Sequence, residues 1–220
     1  MSGPTQEDVE RWIVDSLGLA GDEALTSAVA ESDSHGLPSI QVDPTVGKLL
    51  NLLARMVRAE RILEIGVLGG YSAIWLARAL PEDGKLIALE ANAQYAEVAE
   101  KNIAAAGLSD LVEIRVGPAL ETLPDVEGPF DLVFIDADKA NQHNYLARAL
   151  ELTHVGSVIV GDNIVRGGRS LSDDDDASRG MRSFVELCAT DPRLDATVVQ
   201  TVGSKSWDGL AVALVVEPSD

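Results

Sequence analysis

The stretch Arg61-Ile-Leu-Glu-Ile-Gly-Val-Leu-Gly-Gly-Tyr-Ser72 decides the fold of this chain. Its first five residues, 61–65, form the short apolar run of a buried strand, and three of the next five residues are glycines. Apolar residues then recur at helical spacing from Ala73 to Leu80. Because glycine lets the backbone come close to a bound group, this strand, turn and helix predict a cofactor cradle in a doubly wound sheet.

Strands and helices alternate along the rest of the chain, which predicts parallel βαβ units in an α/β fold. We expect a single domain over 1–220, with a helical cover at 1–42 and a cofactor-binding core at 43–220. The predicted strands are 61–65, 85–90, 112–116, 130–136 and 155–161, followed by an antiparallel hairpin of 194–202 and 210–216. The predicted helices are two within 5–34 that break near 18–21, one from Pro44, and 92–106, 119–123, 141–152 and 176–189, with a flexible loop at 167–172.

The charge balance limits the partners of this protein. Acidic residues outnumber basic ones 36 to 17, and the resulting net charge of −19 repels nucleic acid and anionic membranes. No apolar run approaches the roughly 20 residues that span a bilayer, so we expect no membrane association. The first residues lack the pattern of a signal peptide, and a single cysteine, Cys188, excludes an intramolecular disulfide. We therefore expect a cytoplasmic protein with a small-molecule substrate.

Two glutamates indicate which cofactor the cradle holds. Glu90 ends the second strand, where a carboxylate can accept both hydroxyls of a ribose. Glu64 lies inside the first strand, where burial is costly unless the carboxylate is paired, for example with the ammonium of an amino acid. A dinucleotide would need the backbone donors of a G-x-G-x-x-G turn, whereas this turn reads Gly66-x-x-Gly69-Gly70. The pattern thus favours S-adenosylmethionine (SAM) over a dinucleotide.

Oxygen side chains end two further strands. Asp136 ends one strand, and Asp162 and Asn163 follow the next, so all three lie at the carboxyl edge of a parallel sheet. This oxygen set suits Mg²⁺, Mn²⁺ or Ca²⁺ better than a thiolate-type zinc site. The alternative is that Asp136 or Asp138 caps the following helix and that Asp162-Asn163 is a simple turn.

Four motifs resemble the cation-dependent O-methyltransferases of the caffeoyl-CoA and catechol type. They are Glu64-Ile-Gly-Val-Leu-Gly-Gly-Tyr-Ser72, Gly117-Pro-Ala-Leu120, Phe130-Asp-Leu-Val-Phe-Ile-Asp-Ala-Asp-Lys139 and Asp162-Asn163. The resemblance runs from about 42 to 216 in the same order. It implies a Rossmann-like class I methyltransferase fold with a mostly parallel seven-stranded sheet, helices on both faces and a C-terminal antiparallel hairpin. It also implies SAM as the methyl donor and a homodimer.

The resemblance also implies residue roles. The metal ligands would be Asp136, Asp162 and Asn163, with Mg²⁺ the expected cation. Lys139 and Asp136 would be catalytic, with Lys139 removing the proton of the reacting hydroxyl; from the sequence alone, Lys139 could equally be an exposed lysine that balances nearby acids. Asp138 could orient it. The cofactor contacts would be Val42, Glu64, Gly66, Val67, Ser72, Glu90, Ala119 and Asp136.

The expected function is SAM- and metal-dependent methylation of one of two vicinal hydroxyls on a small aromatic. The alternatives are a tRNA hydroxyuridine methyltransferase, a nicotinamide-dependent oxidoreductase and a non-catalytic cofactor-binding protein. One departure from the family is Arg166, where many members carry Trp; it suits an anionic substrate substituent or is a surface residue without a role. Other hypotheses concern Asp173–Asp176 as a metal contact, lid or helix start, and Trp207 as a substrate platform or hairpin anchor.

Overall fold

The structure, a computed structural model, describes residues 3–203 and 207–218. Within these residues a seven-stranded sheet is flanked by helices, none of which has the length and apolar character to span a membrane. The strands are β1 (Arg61–Ile65), β2 (Lys85–Glu90), β3 (Val112–Val116), β4 (Phe130–Ile135), β5 (Thr153–Gly161), β6 (Leu194–Val202) and β7 (Trp207–Val215). The helices are α1 (Gln6–Ser16), α2 (Glu23–Ser34), α3 (Pro44–Met56), α4 (Tyr71–Ala77), α5 (Ala93–Ala105), α6 (Ala119–Thr122), α7 (Gln142–Glu151), α8 (Arg169–Ser172) and α9 (Asp176–Thr190).

The sheet has the order β3-β2-β1-β4-β5-β7-β6. The first five strands are parallel, and β7 runs antiparallel to both β5 and β6. This topology confirms the predicted fold, a mostly parallel sheet that ends in an antiparallel hairpin. The strand order reverses between β1 and β4, and open α/β sheets bind ligands beside such a reversal, at the carboxyl ends of the strands.

The parallel strands are buried on both faces, which explains their nearly continuous apolar sequences. Alternate residues of β1 enter different parts of the core: Leu63 and Ile65 belong to one buried cluster, and Ile62 to the other. Phe130 and Phe134 of β4 divide between the same two clusters and are fully buried. Helices therefore cover both faces, and only the ends of the strands are free to build a site.

The N-terminal helices are tied to the glycine turn. The predicted break between α1 and α2 is present as a 3₁₀ turn at Leu19–Gly21. From α2, Leu25 and Ala28 enter the core. The side-chain amide of Asn102 on α5 donates to the carbonyls of Ala28 (3.3 Å) and Gly69 (2.8 Å). A buried amide thus joins the N-terminal helical cover to the turn that the sequence marked as a cradle.

The segment 167–172, predicted as a flexible loop, contains the end of a 3₁₀ turn and a short helix. A 3₁₀ turn at Arg166–Gly168 leads directly into α8. Gly167 and Gly168 have φ angles of +64° and +88°, which glycine adopts without strain, and these angles turn the chain into the helix. The two glycines that suggested flexibility therefore build a tight turn.

Strand β7 begins at Trp207 rather than at the predicted Leu210. Trp207 pairs with Val202 of β6, and the ladder continues without a break through Gly209. A β-carbon on Gly209 would lie 2.8 Å from the side chain of Val165, so this glycine allows close packing within the strand. A glycine that reads as a strand breaker in the sequence is here a packing requirement.

Candidate active site

A cavity of about 800 Å³ opens at the carboxyl ends of the parallel strands. Nine of the eleven predicted site residues line its wall. Glu64 and Asp162 do not reach the wall: Glu64 is fully buried, and Asp162 is partly buried at the end of β5. The nine are Val42, Gly66, Val67, Ser72, Glu90, Ala119, Asp136, Lys139 and Asn163.

The glycine turn passes very close to the end of β4. Gly66 has a φ of +94°, and a β-carbon there would lie 2.2 Å from the carbonyl oxygen of Asp136. No side chain fits at that distance. Gly70 also has a positive φ, +84°, and packs against α5 at Ala99. The glycines therefore serve the fold directly, because they allow the ends of β1 and β4 to approach each other at the floor of the cavity.

Glu64 is a buried carboxylate whose oxygens have no hydrogen-bond partner among the described residues. Its exposure is 0 %, and neither carboxylate oxygen is bonded within the described parts of the chain. Burial raises the pKa of Glu64 to about 8; the nearby Ser72 hydroxyl lowers it, and the negative charges of Asp136 and Glu90 raise it further. Buried polar groups in native proteins are almost always paired, so this carboxylate is suited to a cationic ligand group.

Glu90 is held by the backbone around it. Its Oε2 accepts the N–H groups of Val67 (3.0 Å) and Leu68 (2.9 Å), and its Oε1 accepts the N–H of Asn92 (2.9 Å). Each carboxylate oxygen has two lone pairs, so Oε1 retains acceptor capacity for a ligand hydroxyl. Glu90 therefore links the end of β2 to the glycine turn and still presents an oxygen to the cavity.

Asp136 and Asp162 follow adjacent strands in register. The last paired residues of β4 and β5 are Ile135 and Gly161, and the N–H of Asp162 donates to the carbonyl of Ile135 at 3.0 Å. Loss of hydration raises the pKa of Asp162, and the charge of Asp136 raises it further. Within the described residues no three His, Cys, Asp or Glu side chains form a metal-binding group. A cation here would need the amide oxygen of Asn163 as its third protein ligand, and these three oxygens are a hard donor set.

Asp208 is a site residue that the sequence did not reveal. Asn163 Nδ2 donates to Asp208 Oδ2 at 3.1 Å, and because a carboxylate can only accept, the amide oxygen of Asn163 is left free for another partner. The other oxygen, Oδ1, accepts the N–H groups of Val165 (3.1 Å), Arg166 (2.9 Å) and Gly209 (2.8 Å). Asp208 thus fixes both the amide of Asn163 and the loop after it.

Lys139 is paired with Asp136 at the cavity wall. The distance from Lys139 Nζ to Asp136 Oδ1 is 2.6 Å, and the two side chains are only 19 % and 23 % exposed. Asp138, predicted to orient Lys139, acts through the backbone: it caps the 3₁₀ turn that begins at Lys139 by accepting the N–H of Asn141 at 3.2 Å. Its other oxygen accepts the hydroxyl of Tyr145.

Comparison with known proteins identifies the family. The sequence profile of the O-methyltransferase family matches residues 19–214. The chain belongs to this family. As expected from the four motifs, it is therefore an enzyme of the O-methyltransferase class, and the nicotinamide-dependent oxidoreductase alternative loses its support.

Individual relatives agree with this assignment. Catechol O-methyltransferase from Mycobacterium tuberculosis is 49 % identical over 214 residues, which are 96 % of this chain and 97 % of that protein. Caffeoyl-CoA O-methyltransferase 1 from Eucalyptus globulus is 38 % identical over 162 residues, 68 % of this chain and 66 % of that protein. The crystal structure of the O-methyltransferase TomG from Streptomyces achromogenes in complex with SAM has a TM-score of 0.92 and 44 % identity, and the match covers 96 % of this chain and 97 % of TomG. These similarities confirm the resemblance and the class I methyltransferase fold.

The remaining candidates of this O-methyltransferase lie outside the cavity wall. Trp207 Nε1 donates to Gln200 Oε1 at 2.8 Å across the β6–β7 hairpin, the geometry of a hairpin anchor. Asp175 caps α9 by accepting the N–H of Ser178 at 2.6 Å, so the run Asp173–Asp176 forms a helix start. Cys188 is buried in the core.

We expect Gly66→Ala to destabilise this O-methyltransferase far more than Gly107→Ala. Both glycines have positive φ, +94° and +74°, and in either variant the strained backbone costs roughly 1–2 kcal/mol. Only Gly66 faces an obstacle, the carbonyl of Asp136, whereas a β-carbon on Gly107 has nothing within 4 Å. Thermal unfolding of the two variants measures the difference. Equal losses in Tm would show that the close approach of β1 and β4 contributes nothing.

Proposed function

We propose that this O-methyltransferase transfers the methyl group of SAM to one of two vicinal hydroxyls on a small, catechol-like aromatic, with a divalent cation at Asp136, Asp162 and Asn163. The proposal rests on one observation. A single edge of the sheet brings together the buried carboxylate of Glu64, which has no partner among the described residues, the Lys139–Asp136 pair, and two further oxygen-bearing side chains, Asp162 and Asn163. The relative named catechol O-methyltransferase and the SAM complex of TomG support the same assignment.

The residues of the cradle fit SAM. The ammonium of its amino acid part would neutralise Glu64, which otherwise has no partner among the described residues. Its ribose hydroxyls would donate to Glu90, whose Oε1 has acceptor capacity left. The turn at Gly66 offers a backbone surface without side chains, which lets a ligand lie close to the ends of β1 and β4.

The proposed cation site fits Mg²⁺, with Mn²⁺ and Ca²⁺ as the alternatives. Asp136 and Asp162 would supply carboxylate oxygens, and Asn163 an amide oxygen that its bond to Asp208 leaves available. A bound cation would lower the pKa of the two chelating hydroxyls of a catechol. The charge of Asp136 disfavours the ionised form of Asp162, so positive charge at this position would relieve that repulsion.

Lys139 would accept the proton of the reacting hydroxyl. Its Nζ lies at the cavity wall and is held by Asp136, so the nitrogen is positioned before a substrate arrives. SAM bound in the cradle would supply the methyl group on a positively charged sulfur, and it would leave as neutral S-adenosylhomocysteine once the deprotonated hydroxyl had taken that group. Opposite charges disappear together in this reaction, so placement of the two reactants dominates the rate.

We also propose that the enzyme works as a homodimer. Large apolar side chains are exposed on the N-terminal helices, among them Trp12 of α1 and Met56 of α3. Exposed apolar groups of this size on neighbouring helices suit a contact with a second copy of the chain.

A chelator should abolish methyl transfer to a catechol. We expect loss of activity in EDTA and recovery with excess Mg²⁺ or Mn²⁺, because the two hydroxyls would lose the charge that orients and acidifies them. Transfer is measured from SAM to 3,4-dihydroxybenzoate. Binding of S-adenosylhomocysteine, measured by calorimetry in the same EDTA buffer, is the control and should persist. Full turnover in the chelator would refute the cation site.

Replacement of Lys139 by alanine should lower kcat by on the order of 10²–10⁴-fold, the contribution typical of a positioned proton acceptor. Binding of S-adenosylhomocysteine should be retained, because Lys139 is not among the proposed cofactor contacts. Lys101→Ala, at an exposed position of α5, is the matched control and should keep the parent kcat. An unchanged kcat in Lys139→Ala would remove Lys139 from the mechanism.

Cofactor binding should release a proton from Glu64. Because its pKa is about 8 in the free protein, Glu64 is mostly protonated at pH 7, and an ammonium beside it favours the charged form. Titration with S-adenosylhomocysteine at pH 7, in buffers of different ionisation enthalpy, should show release of up to about one proton. Glu64→Gln should bind more weakly and release none. A buffer-independent binding enthalpy for the parent protein would contradict the role of Glu64.

A further inference from the structure

Two arginines lie on the cavity wall next to the proposed cation ligands. Arg166 and Arg169 follow Asn163 in the turn that leads into α8, and both line the cavity. Lys139 also lines it but is paired with Asp136. In a chain of net charge −19, a cation without a carboxylate partner is unusual, so the partners of the two arginines distinguish their roles.

The side chain of Arg166 is bound by other parts of the fold. Its side chain is only 13 % exposed, and Nη1 donates to Ser178 Oγ at 3.1 Å and lies 3.8 Å from Asp175. Its backbone N–H donates to Asp208. The guanidinium therefore ties the turn after β5 to the start of α9. Arg166, the departure from the family that first suggested an anionic substrate, is a structural residue.

The neighbouring acidic run does not neutralise Arg169. Asp174 pairs with Arg179 (3.0 Å) and Arg182 (3.4 Å), and Arg179 also pairs with Asp176. Within the described segments no carboxylate lies within 4.0 Å of the Arg169 guanidinium. Arg169 does act on Asp175 at longer range. The pKa of Asp175 is lowered chiefly by a hydrogen bond from Ser178. The charge of Arg166 also lowers this pKa more than the charge of Arg169 does.

Four of the five carboxylates on the cavity wall are also occupied, and the fifth, Glu121, forms no ion pair with Arg169 in the described residues. Asp136 is paired with Lys139, and Glu90 and Asp208 each accept three backbone N–H groups. Arg169 is exposed, and its Nε donates to the carbonyl of Arg166 at 3.2 Å. This bond orients the guanidinium plane while Nη1 and Nη2 retain donors for a planar anion.

From this geometry we infer that Arg169 binds a carboxylate on the aromatic substrate and so selects hydroxylated aromatic acids over neutral catechols. This inference rests on the proposed function. A carboxylate matches the two-pronged donor edge of a guanidinium, and a cation at the cavity mouth offsets the repulsion that a strongly acidic protein exerts on an anion. The substrate class is therefore a catechol with a carboxylate on the ring or on a short side chain.

The test compares an acid with its uncharged counterpart. We expect kcat/KM to favour 3,4-dihydroxybenzoate over 3,4-dihydroxybenzamide in the parent enzyme. Arg169→Gln should lower this ratio by about ten-fold or more, mainly through the KM of the acid, because a hydrogen-bonded charge pair is lost. Arg169→Lys should restore part of the ratio. Arg179→Gln removes a nearby arginine that does not line the cavity and should keep the parent ratio.

A ratio that stays the same in Arg169→Gln overturns the inference, and so does an equal fall in Arg179→Gln. Binding of 3,4-dihydroxybenzoate, measured by calorimetry with S-adenosylhomocysteine and Mg²⁺ present, separates this inference from the proposed function. If the parent enzyme methylates neither compound, the proposed function fails. The inference on Arg169 then stands only if the acid binds the parent protein and binds Arg169→Gln at least ten-fold more weakly. Equal binding, or none, overturns it.

Discussion

The parallel pairing of β4 with β1 on one side and β5 on the other is the constraint on which the site depends. Ile135 of β4 pairs with the last residue of each neighbour, so the three strands end at the same level. The residues that follow them, Gly66, Asp136 and Asp162, therefore meet at one edge. Hydrogen bonds from the N–H of Asp136 to Ile65 (2.8 Å) and of Asp162 to Ile135 (3.0 Å) extend the pairing one residue beyond the strands.

Because the strand ends meet at one edge, several carboxylates lie close together there. Hydrogen bonds and ion pairs stabilise some of these carboxylates and leave others without a partner. Glu90 accepts three backbone N–H groups, and Asp136 is paired with Lys139. Glu64 is fully buried without a partner in the described chain, and Asp162 is destabilised as an anion by burial and by Asp136. Since an uncompensated buried carboxylate costs stability, these two positions are where a cationic ligand gains most. The uneven compensation is thus itself a guide to what the cavity binds.

Sequence patterns predicted the fold well because parallel strands, glycine turns and amphipathic helices each leave a local signal. They were less successful where a residue acts through a distant partner. Asp208 is 45 residues from Asn163, and only the antiparallel pairing of β7 with β5 brings the two together. Gly209 read as the end of a strand, although it is a close packing contact inside one. In each case the deciding neighbour comes from another element, which a local pattern cannot report.

The two arginines illustrate the same division. The sequence placed Arg166 next to the proposed ligands and suggested an anionic substrate, but it could not show that Ser178 on α9 occupies the guanidinium. In the sequence, Arg169 is one charged residue in a predicted loop, and its exposure on the cavity wall follows from α8 and the turn before it. Which of two nearby cations is available to a ligand depends on which carboxylates and hydroxyls fold against each of them.

The sequence by itself determined the class of fold, the family and the oxygen-rich residues at the strand ends, because hydrophobic periodicity and motif spacing are local properties of the chain. Only the tertiary structure decided how those residues are used. Among the described residues it leaves Glu64 without a hydrogen-bond partner and Arg169 on the cavity wall without a carboxylate partner, and it places Asp208 where it directs the amide of Asn163. Pairing and burial depend on neighbours far along the chain, and these become neighbours only when the sheet is assembled.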